Sequence, residues 1–298
     1  MMRRFAAALA GLLALGGSAA PANAPARYAG AFALPGAPHE SAELQATRLG
    51  PLQARLDLWE SVGARTIASY DLDMTERMHM IVVSDDFSRF LHVHPQLAPD
   101  GHFRIVLRVP KPGRYYVFAD AEPHGLGQAV FRFALPFGRP PIATPIAQAR
   151  MLAIGRRTSR AGPYTVTLSS LELTAGKPKL LLAHVTKNGK PAPDLHPYLG
   201  GAAHAVFISL KTLAYVHVHP MSGTGASPAS AKSCDANGMA GMSGMPGMGE
   251  MRELPDSASV APDMTLRVVA PAAGIYKLWL QFRGGSRLYV TPFILTAR

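Results

Sequence analysis

Six histidines recur in this chain with one spacing. His79 is followed by His92, His94 and Pro95, and His204 by His217, His219 and Pro220, every equivalent pair lying 125 residues apart. Neutral imidazole is a ligand for copper, zinc and nickel, so a repeated trio points to metal chemistry if the rings can converge. Convergence depends on the elements between them. Residues 79–84 and 89–94 are apolar, β-branched or aromatic around a short break at Asp85–Ser88, the pattern of an antiparallel hairpin. Side chains two apart in a strand share a face, so His92 and His94 point the same way. A turn centred between Asp86 and Phe87 pairs His79 with His94 and Ile81 with His92. The same register in the second copy sets His204 opposite His219 and beside His217. A slip of one residue would undo this by sending His79 to the other face. Buried imidazoles otherwise need partners for two nitrogens each and repel when protonated, and a metal ion removes both difficulties.

A second pattern suits a softer ion. After Cys234, methionines stand at 239, 242, 245, 248 and 251, separated by Gly, Ser, Ala, Pro and Glu. Such spacers hold neither a core nor a helix. Thioether sulfur selects Cu(I), which makes Met239, Met242, Met245, Met248 and Met251 candidate ligands. Met221, directly after His219 and Pro220, joins them at the junction with the histidine site, and Cys234 offers a thiolate. A second repeat isolates this insertion: Pro110, Gly113 and Tyr115 return as Pro271, Gly274 and Tyr276, at an offset of 161. The excess of 36 residues over the histidine offset falls between Pro220 and Gly274.

The rest of the chain must position these residues. Short strands separated by turns such as Asp100-Gly101 and Asn188-Gly189 predict an all-β protein of two tandem immunoglobulin-like β-sandwich domains. The expected organisation is a signal peptide at 1–22, a flexible Ala/Pro/Gly-rich lead-in at 23–48, a first domain at 49–136, a linker at 137–162 and a second domain at 163–298, with a disordered Met-rich loop at about 222–255. The first segment carries Arg3 and Arg4 ahead of an apolar run and small residues, a secretory pattern too short to span a bilayer. Its bacterial style places the mature protein in the periplasm or outside the cell. The single Cys excludes an intrachain disulfide. The formal charge of +11 is scattered, with no basic run longer than the pair Arg156-Arg157, and indicates no nucleic-acid partner, while no stretch after the leader is expected to span a membrane.

The stretches His196–His204, Tyr215–Pro220 and Pro112–Asp120 resemble those of exported bacterial immunoglobulin-like metal-handling domains of the YtkA-like and CopC-like type. The resemblance covers most of residues 50–135 and 163–297. It implies sandwiches of roughly seven strands and periplasmic metal handling, and brings no enzymatic activity with it. The methionine run is similar to Met-rich segments of periplasmic copper-resistance proteins. The expectation is a non-catalytic copper-binding protein holding Cu(I) or Cu(II), with zinc a further ion for the histidines and a periplasmic copper-accepting or copper-exporting protein as partner. Two alternatives stand beside it: an interaction module with structural histidines, and a copper redox enzyme of superoxide-dismutase type suggested by the His-Val-His pairs. His39, His102, His124, His184 and His196 lack repeat partners and are read as structural or surface residues, with His124 placed within reach of the first site.

Overall fold

The computed structural model of the chain describes residues 25–138, 155–223 and 253–298. Among these the architecture is all-β: two domains, each of two packed sheets, with no helix. In the first domain one sheet is ordered Ala26–Ala29, Ser41–Gly50, Gln53–Val62, Phe103–Arg108, Gln96–Leu97, with Arg65–Thr66 also paired to Gln53–Val62. The other runs Ala31–Phe32, Ala129–Phe137, Gly113–Ala121, Met78–Ser84, Phe90–Val93. Alternate residues from both inner faces, among them Leu44, Leu56, Leu58, Met80, Val82, Val117 and Phe133, form its core.

The second domain repeats the plan. Thr158–Ala161, Tyr164–Leu168, Pro178–Lys187, Asp263–Val269 and Met221–Ser222 make one sheet, which Lys190–Pro191 joins at Pro178–Lys187. Glu172–Leu173, Arg287–Ala297, Gly274–Gly284, His204–Ser209 and Tyr215–Val218 make the other, with Leu195–His196 beside Gly274–Gly284. Val166, Leu181, Val185, Phe207, Leu266, Leu278 and Leu295 lie in its core.

Two expected boundaries are corrected. The lead-in does not behave as a flexible segment: it contributes three strands, and Ser41–Gly50 pairs along Gln53–Val62. Its period was disguised by small residues, since Ala42, Leu44 and Ala46 face inward while Ser41, Glu43 and the rest of the strand are more exposed. The linker is also shorter than expected at its end, because Thr158–Ala161 already pairs with Tyr164–Leu168 across Gly162, whose φ of 57° suits glycine. The signal peptide, most of the linker and the Met-rich segment fall outside the described residues.

A third apolar cluster joins the domains. Met78–Ser84 is buried along its whole length, as is His204–Ser209. Met78, Met80 and Val82 face their own domain core, while Ile81 and Val83 meet Val206 and Ile208 of the other domain. The histidine-bearing sheets therefore pack against each other, giving four layers. Phe118 stacks on Tyr215 and Phe90 on Trp279, both with ring centroids 5.2 Å apart. These two pairs occupy equivalent positions under the offsets of 125 and 161, so the interface has a pseudo-twofold axis.

Candidate metal centre

Each hairpin carries its histidines in the register that the spacing requires. Ile81 opposes His92 and Met80 opposes Val93, while Val206 opposes His217 and Ala205 opposes Val218. One step further along, His79 meets His94 edge-on at 5.1 Å and His204 meets His219 at 4.7 Å between ring centroids. The pseudo-twofold axis then brings the trios together. His79 lies 5.0 Å from His217 and 5.6 Å from His204, and His92 lies 5.1 Å from His204. Six rings form one cluster between the domains, in place of one site in each.

The ring nitrogens account for the chemistry. His79 Nε2–H donates to the Asp73 carbonyl (3.0 Å), leaving Nδ1 with its lone pair 2.9 Å from His92 Nε2. His92 Nδ1–H donates to Gln281 Oε1 (2.9 Å), so its Nε2 is likewise a lone pair. In the other half His204 Nε2–H donates to the Tyr198 carbonyl (2.9 Å), and His217 Nδ1 faces the Asp120 carboxylate (3.3 Å). His204 Nδ1 and His217 Nε2 then confront each other at 3.2 Å. With these tautomers the facing lone pairs repel unless a cation lies between them, and with the other tautomer of one ring a proton takes that place. One ligand nitrogen from each of His79, His92, His204 and His217 falls within 4.8 Å of the others. A nitrogen–metal distance of about 2.0–2.1 Å separates adjacent ligands by about 2.9 Å in a square and about 3.3 Å in a tetrahedron. The paired nitrogens, at 2.9 and 3.2 Å, match that range.

The orienting groups arise from the same repeat. Asp73 and Glu76, and Tyr198 and Gly201, close matching tight turns through Met74 and Leu199, which adopt φ of 54° and 48°. A non-glycine residue there is strained by about 1 kcal/mol or more, and the turn aims a carbonyl at the first histidine. Asp120 and Gln281 sit directly opposite His79 and His204 in their sheets, yet each turns its side chain to a histidine of the other domain. Neither domain alone completes its half of the centre. Such partners fix the tautomer and raise ligand basicity.

Burial sets the protonation states. It holds His92, His204 and His217 well below the ordinary imidazole range, with neighbouring histidines adding to the effect. It also lowers His219, and it lowers His94 to about 4. These rings are neutral at neutral pH, the form that ligates. The Asp120 carboxyl is pushed up to about 7 by burial and by the charge of Asp73, against hydrogen bonds from Gln128 and Tyr215.

Other expected ligands distribute differently. His94 and His219 adjoin the cluster, and the Nε2 of each is buried without a hydrogen-bond partner. Met221 pairs its backbone with Thr265 and is 41% exposed. Cys234, Met239, Met242, Met245, Met248 and Met251 lie outside the described residues. His102, His124 and His184 each bond an aspartate, at Asp57, Asp71 and Asp263, and His124 is thereby kept at the surface. Sequence reasoning missed Asp73, Asp120, Tyr198 and Gln281. Their signal was positional: Asp120 and Gln281 share the offset of 161, and Asp73 and Tyr198 that of 125.

Among curated proteins none matches the chain. A family model matches residues 44–135 and 158–298, leaving the methionine run inside its second segment, and by that match the chain belongs to the family described as a domain of unknown function, DUF8832.

Proposed function

We propose that this protein binds copper at the four-histidine centre between its domains, and that it sequesters or delivers the ion outside the cytoplasm. The observation that carries this reading is the nitrogen arrangement: four imidazole nitrogens meet at ligand spacing, while the other nitrogen of each ring has an oxygen partner. A dication among four neutral imidazoles replaces repulsion with coordination, and the nearby Asp120 offsets part of its charge. The methionine run and the secretory leader favour copper over zinc, because thioethers select Cu(I) and an exported protein meets a pool in which Cu(I) and Cu(II) interconvert. The YtkA-like and CopC-like resemblance agrees with that role. A periplasmic copper acceptor or exporter is the partner such a protein would serve.

The hydrogen-bond distances also favour a defined metal-free state. If the Gln281 amide turns over and Asp120 takes up a proton, both can donate to Nδ1 of their histidines, and each Nε2–H can then bond the facing Nδ1. The cluster is thus stable when empty, as a carrier requires. Titration of the full chain with Cu(II), Zn(II) and, under reducing conditions, Cu(I) tests the proposal, alongside a chain lacking residues 224–252. The expected result is one tight Cu(II) in both chains and extra Cu(I) equivalents only in the intact one. Absence of Cu(II) binding above a histidine-free variant would leave the histidines a structural role in an interaction module.

A further inference from the structure

We infer that Asp73, His219 and His217 form an outer metal station through which the four-histidine centre is loaded. This rests on the proposed metal centre and adds its route of entry. One ligand atom from each of the three residues lies within 4.8 Å of the others, and His217 belongs to both ligand sets. The His219 Nδ1 is 3.6 Å from Asp73 Oδ1, while its Nε2 is buried and has no hydrogen-bond partner. That ring sets Nδ1 beside a carboxylate and leaves Nε2 uncommitted.

Exposure gives the direction of travel. The Asp73 side chain is 36% exposed, against 0% for His79, 1% for His217 and 6% for His219. An ion arriving from water meets the carboxylate first, then His219, then the shared His217. Stripping water from a dication is costly, and an anionic first ligand offsets part of that cost before the neutral imidazoles take over. Transfer is a ligand exchange in which His217 is retained, Asp73 and His219 leave, and His79, His92 and His204 replace them. The backbone carbonyl of Asp73 also holds His79 Nε2, so the outer carboxylate and an inner ligand share one turn. The pseudo-twofold counterpart of Asp73 is Tyr198, which has no carboxylate to offer. The station therefore exists on one side of the centre.

Stopped-flow mixing of the full metal-free chain with Cu(II), followed by tryptophan quenching, tests the route together with chelator-driven release. Asp73→Asn keeps the turn backbone and removes the charge. The expected result is association slowed about tenfold or more, the range over which local charge alters on-rates. Release should slow by the same factor, leaving the dissociation constant unchanged. Asp73→Glu should restore most of the rate, His219→Gln should resemble Asp73→Asn, and His184→Gln, at a position with its own aspartate outside the centre, should change neither rate. Unaltered rates in Asp73→Asn would overturn the inference. So would weaker affinity with faster release, which would make Asp73 a ligand of the resident ion, or a rate difference that vanishes at high salt, which would reduce it to long-range steering. Failure of the unaltered chain to bind Cu(II) would instead remove the metal centre itself, and the route with it.

Discussion

The two halves of the centre are alike in their imidazoles and unlike in their charges. His79, His92 and His94 match His204, His217 and His219, and the strained turns behind them match as well. Asp120, however, faces Gln281 across the pseudo-twofold axis, and Asp73 faces Tyr198. A duplicated domain thus keeps its imidazoles in both copies, while the acidic groups around them sit in the first copy. The core shows the same bias. Glu60 of the first domain occupies the position of Val185 in the second, and Tyr70 that of Leu195. Both Glu60 oxygens and the Tyr70 hydroxyl are buried without hydrogen-bond partners. Burial, with Glu40 and Asp120 nearby, pushes the Glu60 carboxyl up to about 8.

The largest effect should come from breaking the sharing between domains. Replacing His79 and His92 by Gln, or His204 and His217 by Gln, should each abolish tight Cu(II) binding, because only two of the four central imidazoles remain in either case. Equilibrium dialysis should find no residual half-site, and circular dichroism should report retained β structure. Retention of one full-affinity ion in either variant would separate the halves again.

A smaller change should follow from equalising the charges. Asp120→Asn should weaken Cu(II) binding about 10–100-fold, the usual cost of removing a group that orients a metal-bound histidine. Gln281→Glu should strengthen it or leave it unchanged. The opposite ranking in competition titrations would show that the asymmetry has no part in binding.

Glu60 provides a contrast that does not involve the centre. Its raised pKa means that the folded state holds a proton which the unfolded chain, near 4.5, has lost. Stability should therefore be full below about pH 4.5 from this group and decline as pH rises toward 8. Glu60→Gln should remove that slope and stabilise the domain by about 1–3 kcal/mol at pH 7.5. The lowered histidines act in the opposite sense: the unfolded chain takes up protons first, so metal-free stability should fall as pH drops below about 6.5. Urea unfolding across pH 5–8 separates the two. The smallest effect should come from His102, His124 and His184, whose replacement by Gln should leave copper affinity within about twofold, since these surface positions have their own aspartates.

Much of the local arrangement was legible in the sequence. Hairpin register followed from alternation and turn length, and the all-β class from strand spacing. The joining of two sites into one was less visible. Its trace was the unbroken apolar character of Ile81–Val83 and Val206–Ile208, which one sandwich core cannot explain because alternate residues point away from it. Small inward residues concealed the strand Ser41–Gly50. Asp120 and Gln281 were hidden for another reason: each faces a histidine distant in sequence, and only the packing of the domains makes them partners.

X-ray absorption on the full chain loaded with one equivalent of Cu(II) is the most direct test of the shared centre. The expected result is a single environment with four imidazole nitrogens at about 2.0 Å, collapsing on removal of the histidines from either domain. Two independent sites with three or fewer imidazoles each, one per domain, would contradict it.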